Sequence, residues 1–191
     1  MPRALIYFAS THGHTEKVAR RIAAVMEGDG MTTDVRAAAD GAEVRPLDYD
    51  MIVVGASIHA GHHQRGMVDW VRANHRSLNR IPSAFFSVSL TAADDTGESR
   101  EATRRYIDDL LDDTGWTPRR TATVAGALQY REYDFATRLL VRLISAKLGR
   151  PTDASHDYDY TDWDAVVRFG HDCAAMVAGG SRPEPRLPAA A

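Results

Sequence analysis

An apolar segment, a short polar loop and an amphipathic segment follow one another near the N-terminus of the chain. The apolar segment is Ala4–Ala9, and its continuous run of apolar residues predicts a β-strand buried on both faces. Apolar residues then recur at helical spacing from Val18 to Met26, and Gly28 or Gly30 offers a helix end. Parallel α/β sheets are built from buried strands that lead into helices in this way. The N-terminal segment therefore favours an α/β fold.

The loop between these two segments is rich in hydroxyl groups. Its sequence is Ser10-Thr11-His12-Gly13-His14-Thr15. Backbone N–H groups at a helix N-terminus bind anions, and a glycine lets the backbone come close to the anion. One interpretation is a phosphate-binding loop, and the other is an ordinary helix cap made by Ser10 or Thr15. The spacing matches neither the triphosphate nor the dinucleotide motif, so it favours a single terminal phosphate such as that of FMN.

Four further strand-like segments alternate with helical patterns along the chain. They predict strands at 32–37, 50–55, 84–90 and 121–127. The pattern indicates a doubly wound, five-stranded parallel sheet with the strand order 2-1-3-4-5. Ligands of such sheets bind beyond the carboxyl ends of the strands, next to the loops after strands 1 and 3. The loop after strand 4 lies at the same edge, so three loops are expected to converge there.

Two helices after the fourth strand have predicted caps and predicted buried faces. Asp95 is the expected N-cap of the first and Thr161 that of the second. The first helix stops at Gly115. The residues expected to be buried are Ala102, Tyr106, Leu110 and Leu111 in the first helix, and Val166, Val167, Cys173 and Val177 in the second.

Length and composition exclude several classes of protein. The 191 residues are most simply one domain, and a net charge of −3 gives no broad nucleic-acid surface. A single cysteine excludes an intramolecular disulfide and CxxC redox chemistry. No segment resembles a signal peptide or a membrane span, so we expect a cytoplasmic protein with room for peripheral contact at the inner face of the membrane.

Several longer segments resemble one family of proteins. They are 55–62, 82–90, 125–130 and 160–163, and the loop at 10–15 resembles the FMN-phosphate loop of flavodoxins. Together they resemble the flavodoxin-type protoporphyrinogen oxidases, the menaquinone-dependent dehydrogenases of haem synthesis. The resemblance implies a flavodoxin-like fold that holds FMN and has an inserted helical segment near strand 5. It also implies oxidation of protoporphyrinogen IX to protoporphyrin IX, with electrons passed to a membrane quinone.

The resemblance also implies which residues hold the cofactor. They are Ser10, Thr11, His12, Gly13, His14, Thr15, Ser57, Ile58, His59, Ala60, Gly61, Ser89, Leu90, Thr91 and Ala92. The first six surround the phosphate, and the others flank the flavin ring, with His59 or Tyr130 as the candidate stacking partner.

Three histidines, His59, His62 and His63, are the candidate catalytic residues. Each hydride removed from a porphyrinogen also releases a proton, and imidazole titrates near neutral pH. A structural role in the loop is the alternative. No carboxylate lies beside these histidines in the sequence, so the pattern does not favour a metal site.

An insert at about 128–159 distinguishes the chain from a minimal flavodoxin. Within it, 135–148 has a helical pattern with a broad apolar face, and Arg138 and Arg142 form a narrow polar stripe. This face suits a membrane interface, a hydrophobic substrate or packing on its own domain. We expect one domain over 1–178 and a disordered tail over 179–191.

Two other functions remain open from the sequence. One is a flavodoxin-like electron carrier that turns over no small molecule, and the other is an NAD(P)H:quinone reductase. A carrier has no evident use for a broad apolar helix beside its flavin, so the insert favours the dehydrogenase. The number of subunits is left open.

Overall fold

A computed structural model describes residues 1–41, 44–128 and 158–178 of the chain. The strands in these residues are β1 (Arg3–Ala9), β2 (Thr32–Ala37), β3 (Met51–His59), β4 (His62–His63), β5 (Ser83–Ser89), β6 (Arg120–Ala125), β7 (Ala127–Leu128) and β8 (Tyr158–Asp159). The helices are α1 (His14–Gly28), α2 (Arg65–Leu78), α3 (Gly97–Thr114) and α4 (Trp163–Ala178).

Five parallel strands form the central sheet in the order β2-β1-β3-β5-β6. This order confirms the predicted 2-1-3-4-5 sheet, because the two-residue β4 is an extra strand that pairs only with the end of β3. All four neighbouring pairs in the central sheet are parallel. The order reverses between β1 and β3, so the loops that follow these two strands diverge and leave a crevice between them.

The core lies on both faces of the sheet. Alternate residues of β1 face opposite sides, so that Ile6 packs with α1 and α4 whereas Leu5 packs with α2 and α3. Both side chains are fully buried, and burial of each contributes about 1.5–3 kcal/mol. Residues buried on both faces explain why β1 is a continuous apolar run and not an alternating one.

Glycine is required at one point in the centre of the sheet. Gly55 of β3 lies in register with Phe86 of β5, and the Phe86 ring covers the Gly55 backbone. A Cβ at Gly55 would lie 2.0 Å from Cζ of Phe86, so any larger residue forces the ring to move. The close packing of these two strands therefore depends on the absence of a side chain at this position.

The predicted helix caps were each wrong by one residue. Thr96, not Asp95, caps α3, because its hydroxyl accepts a hydrogen bond from the N–H group of Ser99. Asp162, not Thr161, lies at the start of α4 and accepts from the N–H group of Ala165 at 2.9 Å. In both cases the next residue is an equally good capping type, and the chain path decides between them.

The buried face of α3 also differs from the prediction. Thr103 and Ile107 are buried, whereas Ala102 and Tyr106 are only partly so. Thr103 can be buried because its hydroxyl donates to the carbonyl of Arg100 within the helix. In the same helix Thr114 is buried and Leu111 is partly exposed. In α4, Phe169 and Ala174 are buried in addition to the predicted residues, whereas Val167 and Val177 are partly exposed.

The two ends of the predicted insert meet. β6 ends at Ala125, and after Gly126 the short strand β7 pairs antiparallel with β8, which immediately precedes Tyr160 and α4. Leu128 therefore lies in register with Tyr158, at the boundary of the segment that the structure does not describe. The helix predicted at 135–148 and the tail at 179–191 lie outside the described residues.

Candidate functional site

An open cleft of about 210 Å³ lies at the carboxyl ends of the central strands. The three loops predicted to converge, those after β1, β3 and β5, all line it. The lining residues are Ser10, His12, His14, Thr15, Ser57, Ile58, His59, Ala60, Val88, Ser89, Leu90, Gly126 and Ala127. Ten of these thirteen belong to the predicted cofactor set. Val88, Gly126 and Ala127 are the additions, and Gly126 lies against the backbone of Ser89.

The remaining predicted cofactor residues do not line this cleft directly. Thr11 and Gly13 belong to the loop that forms one wall. Gly61 contributes to a second cleft beside α2 and α3, and Ala92 to a third cleft beside α4. Thr91 begins a short 3-10 turn just beyond the rim.

The loop after β1 has the features of an anion site. Gly13 has a φ of 76°, a left-handed conformation that favours glycine, and it occupies the N-cap position of α1 without any side-chain cap. The alternative in which Ser10 or Thr15 caps α1 is therefore wrong. Ser10 Oγ is buried and has no hydrogen-bond partner among the described residues. A Cβ at Gly13 would meet nothing within 4 Å, so the space beside it is open for a ligand.

His14, the first residue of α1, is tied to the segment that returns from the insert. Its Nε2 lies 2.8 Å from the hydroxyl of Thr161, and that hydroxyl donates to the carbonyl of Ala125 at 2.9 Å. A hydroxyl has one hydrogen to donate, so His14 Nε2 carries the proton and Thr161 accepts it. Burial lowers the pKa of His14, opposed by the Asp159 carboxylate 3.9 Å away.

The other ring nitrogen of His14, Nδ1, is buried without a hydrogen-bond partner among the described residues, as is the Ser10 hydroxyl. With Nε2 protonated and the ring neutral, Nδ1 carries a lone pair. Two residues of the loop after β1 and the start of α1 thus hold buried polar atoms that have no hydrogen-bond partner among the described residues.

The loop after β3 is a tight hairpin. His59 of β3 pairs with His62 of β4, and Ala60 and Gly61 between them have φ values of 49° and 83°. Two consecutive left-handed residues define the type I′ turn that two-residue hairpins prefer. Alanine at such a φ is strained, and strained residues are common at ligand sites. The hairpin places Ala60 in the lining of the cleft, together with residues of the loop after β1.

Of the three candidate histidines, only His59 lines the main cleft. Its ring lies 5.7 Å from that of His12, and burial followed by the proximity of His12 lowers the pKa of His59. His62 and His63 line the second cleft, beside α2 and α3. The three histidines are therefore neighbours in the hairpin, but they do not line the same cleft.

His63 has structural partners. Its Nε2 lies 2.9 Å from Ser87 Oγ, and its ring packs edge-on against Phe85 at 5.3 Å. Burial, reinforced by His62, lowers the pKa of His63 to about 4, so the ring is neutral at neutral pH. These contacts give His63 a place in the core between β4 and β5.

Gln64 is a site residue that sequence reasoning missed. It follows β4 at the N-cap position of α2, and its Nε2 lies 2.6 Å from Ser57 Oγ and 3.4 Å from Thr11 Oγ1. It thus joins the loops after β1 and β3. Its position just after the histidine-rich loop was the only sequence signal, because the contact with Thr11 spans 53 residues.

Sequence comparison identifies relatives over nearly the whole chain. The model of the flavodoxin domain family matches residues 5–155. A protein of Leishmania major named protoporphyrinogen IX dehydrogenase (quinone) is 35% identical over 185 residues, which cover 96% of this chain and 80% of that protein. A protein of Escherichia coli K12 with the same name is 33% identical over 175 residues, covering 92% of this chain and 96% of that protein.

The chain belongs to the flavodoxin-type protoporphyrinogen IX dehydrogenase family.

Solved structures agree on the fold of this family member. Oxidised Flavodoxin 1 from Bacillus cereus superposes with a TM-score of 0.55 at 19% identity, covering 91% of this chain and 97% of that one. A short-chain flavodoxin associated with a bacterial microcompartment gives a TM-score of 0.58 at 15% identity, covering 93% and 99%. These similarities show the flavodoxin-like fold.

Three predicted substrate or membrane residues of this dehydrogenase family member, Tyr130, Arg138 and Arg142, lie outside the described residues. Within 1–41, 44–128 and 158–178, no cluster of three histidine, cysteine or acidic residues is arranged to hold a metal ion. No helix within those same ranges is long and apolar enough to cross a membrane.

Proposed function

We propose that this chain binds FMN in the cleft and catalyses oxidation of protoporphyrinogen IX to protoporphyrin IX with a quinone as electron acceptor. The names of the relatives at 33–35% identity supply the substrate and the acceptor class. The observation that carries the cofactor assignment is the uncapped N-terminus of α1, where Gly13 is left-handed and Ser10 Oγ is buried without a partner. These features suit one phosphate group.

The residues that line the cleft suit the two ends of FMN. The phosphate loop, with Ser10, Thr11, Gly13 and Thr15, would hold the phosphate through backbone N–H groups and hydroxyls. The β3–β4 hairpin and the β5 loop, with Ala60 and Leu90 among others, would enclose the ring from two sides. Bound FMN supplies the redox chemistry by accepting a hydride from the substrate.

His59 is the residue best placed to take up the proton that accompanies each hydride. It is the one candidate histidine on the main cleft, and its lowered pKa leaves the ring neutral and able to accept a proton at neutral pH. His62 and His63 line the second cleft and not this one, so we assign them no proton transfer with a substrate here.

A menaquinone acceptor and a role in haem biosynthesis are the finer parts of the proposal. A quinone with an isoprenoid tail lies in a membrane, so the protein has to meet the membrane surface to use it. Residues 135–148, with their broad apolar pattern and two arginines, are the segment proposed for that contact or for the porphyrinogen. The alternative is packing of that segment on its own domain.

Turnover with and without the acceptor tests the proposed function. Purified protein loaded with FMN is given protoporphyrinogen IX under anaerobic conditions, and protoporphyrin fluorescence is followed with and without a soluble menaquinone analogue. We expect rapid product formation only with the analogue. Absence of product in both cases returns the chain to the electron-carrier function, and reduction of the quinone by NAD(P)H instead would identify an NAD(P)H:quinone reductase.

The cofactor assignment has a separate test with a matched control. Gly13→Val places a branched side chain in the open space beside the anion loop and should weaken FMN binding by about 100-fold or more, since that space is needed for the backbone to approach the phosphate. Gly41→Val imposes the same left-handed strain, at φ 63°, outside the cleft. Equal FMN affinity in both variants would refute the phosphate site.

A further inference from the structure

Gln64 bridges two segments at the edge of the cleft, the loop after β1 and the end of β3. The loop after β1 contributes Thr11 and the end of β3 contributes Ser57, and a single side-chain amide contacts both hydroxyls. The bond to Ser57 is short at 2.6 Å, whereas the one to Thr11 is long at 3.4 Å. Gln64 itself is held by the backbone, because it is the N-cap residue of α2 and its carbonyl accepts from Met67 and Val68.

The direction of these hydrogen bonds determines what the hydroxyls can still do. An amide nitrogen only donates, so the oxygens of Ser57 and Thr11 accept from Gln64. Each hydroxyl keeps its own hydrogen, which remains available for donation elsewhere. Ser57 lines the main cleft, so its hydrogen is available to an acceptor atom of a ligand there.

The other half of the amide supports the same orientation. Oε1 of Gln64 is buried without a partner among the described residues. The reverse orientation would leave the NH2 group, with its two hydrogens, buried and unpaired in that place. It would also consume both hydroxyl hydrogens and leave Ser57 and Thr11 only able to accept.

We infer that Gln64 is a positioning residue of the flavin site that fixes the spacing of the loop after β1 and the end of β3 and makes Ser57 and Thr11 hydrogen-bond donors toward the ligand. Flavins present acceptors to such donors, namely the carbonyl oxygens and unprotonated nitrogens of the ring and the phosphate oxygens of FMN. The inference rests on the proposed function, because it assumes a flavin in this cleft.

The shorter bond indicates which part of the ligand depends most on Gln64. Ser57 is expected to face the ring and Thr11 the phosphate, so the loss of the amide should affect ring binding more than phosphate binding. Riboflavin carries the ring without the phosphate and therefore reports on the Ser57 contact alone. FMN reports on both contacts.

Titration of apoprotein with riboflavin and with FMN, followed by quenching of flavin fluorescence, tests the inference. Gln64→Met removes the amide at similar length and should weaken binding of both ligands about tenfold, the effect of one hydrogen bond. Gln64→Glu can only accept and should weaken riboflavin binding at least as much. Asn74→Leu removes an amide from the middle of α2, whose partner is the carbonyl of Trp70, and should change neither affinity.

A double-mutant cycle separates the positioning role from a merely structural one. In a Ser57→Ala background, Gln64→Met should lower riboflavin affinity by less than twofold, because the Ser57 hydroxyl that Gln64 orients is absent. In a Thr11→Val background the full tenfold loss should remain. Urea unfolding of each variant establishes that the protein is folded before titration.

Three results would overturn the inference. The first is unchanged riboflavin affinity in Gln64→Met. The second is retained riboflavin affinity in Gln64→Glu, which would mean that the hydroxyls donate to Gln64. The third is that the losses of riboflavin affinity caused by Gln64→Met and Ser57→Ala add fully in the double variant. Failure of the cofactor assignment, the part of the proposed function on which the inference rests, has a different signature, since the unmodified protein would then bind neither FMN nor riboflavin. Failure of porphyrinogen oxidation alone would leave these affinities unchanged.

Discussion

Protonation of His63 should destabilise the folded chain in acid by an amount that can be worked out from the structure. The ring is nine-tenths buried, hydrogen-bonded to Ser87 and packed against Phe85, and its pKa is lowered to about 4. In the unfolded chain the pKa returns to about 6.5. Between these two values the unfolded state binds a proton that the folded state does not, so stability falls as the pH falls from about 6.5 to about 4.

The pKa difference sets the size of this effect. One pKa unit corresponds to about 1.4 kcal/mol, so the full difference is about 3.5 kcal/mol, of which about 2.5 kcal/mol is lost by pH 4.5. This is a large part of the 5–15 kcal/mol that typically stabilises a domain. Other groups titrate in the same range, and only comparison with a variant isolates the contribution of His63.

Urea unfolding at pH 7 and pH 4.5 measures the effect. His63→Gln keeps a group that can hydrogen-bond Ser87 but does not titrate, so it should lose about 2.5 kcal/mol less than the unmodified chain between the two pH values. His62→Gln, at an exposed neighbouring position, removes only the smaller cause of the lowered pKa of His63 and should stay much closer to the unmodified chain than His63→Gln does. Equal pH dependence of His63→Gln and the unmodified chain would refute the reasoning and place a charged His63 in the folded state.

Three other predictions concern the sheet, the proton and the insert. Gly55→Ala should lower the free energy of unfolding, measured in urea, by about 1–3 kcal/mol, because its Cβ would lie 2.0 Å from the buried Phe86 ring. Gly66→Ala, where the added Cβ meets open space, should lower it by less than about 0.5 kcal/mol. His59→Gln should slow flavin reduction by porphyrinogen and change its pH profile while reduction by dithionite is unaffected; unchanged rates across pH would exclude His59 as the base. A Gly/Ser linker in place of 129–157, closing the β7–β8 ribbon, should retain FMN and abolish porphyrinogen oxidation, and full activity would favour the carrier function.

Hydrophobic pattern was enough to predict the sheet and the location of the cleft. Ala4–Phe8 and Met51–Val54 are buried, so their sequences are apolar throughout, and strand order follows from alternating strands and helices. The convergence of the loops after β1, β3 and β5 is a consequence of that order. Periodicity therefore fixes which loops meet, without any knowledge of side-chain contacts.

Side-chain partners distant in sequence could not be predicted. Nothing in His59-Ala60-Gly61-His62-His63 indicates that the hairpin turns His63 into the core beside Ser87 and leaves only His59 on the cleft. The hydrogen bond between Gln64 and Thr11 could not be predicted either, because it depends on how two loops that are distant in sequence pack at the edge of the sheet. The predicted helix caps were wrong for a local reason. Adjacent residues such as Asp95 and Thr96 are equally suitable N-caps, and the path of the loop decides which one caps the helix.

Anaerobic reduction of the bound flavin by porphyrinogen tests the central claim most directly. Protein loaded with FMN is mixed with protoporphyrinogen IX in the absence of oxygen, the loss of oxidised flavin absorbance is followed, and a menaquinone analogue is then added. We expect the absorbance to bleach on mixing, because each FMN accepts one of the hydrides that the porphyrinogen gives up. It should return when the quinone is added, and protoporphyrin should then accumulate over repeated cycles. Flavin that stays oxidised in the presence of porphyrinogen, although dithionite reduces it, would contradict the assignment of this chain as a protoporphyrinogen dehydrogenase.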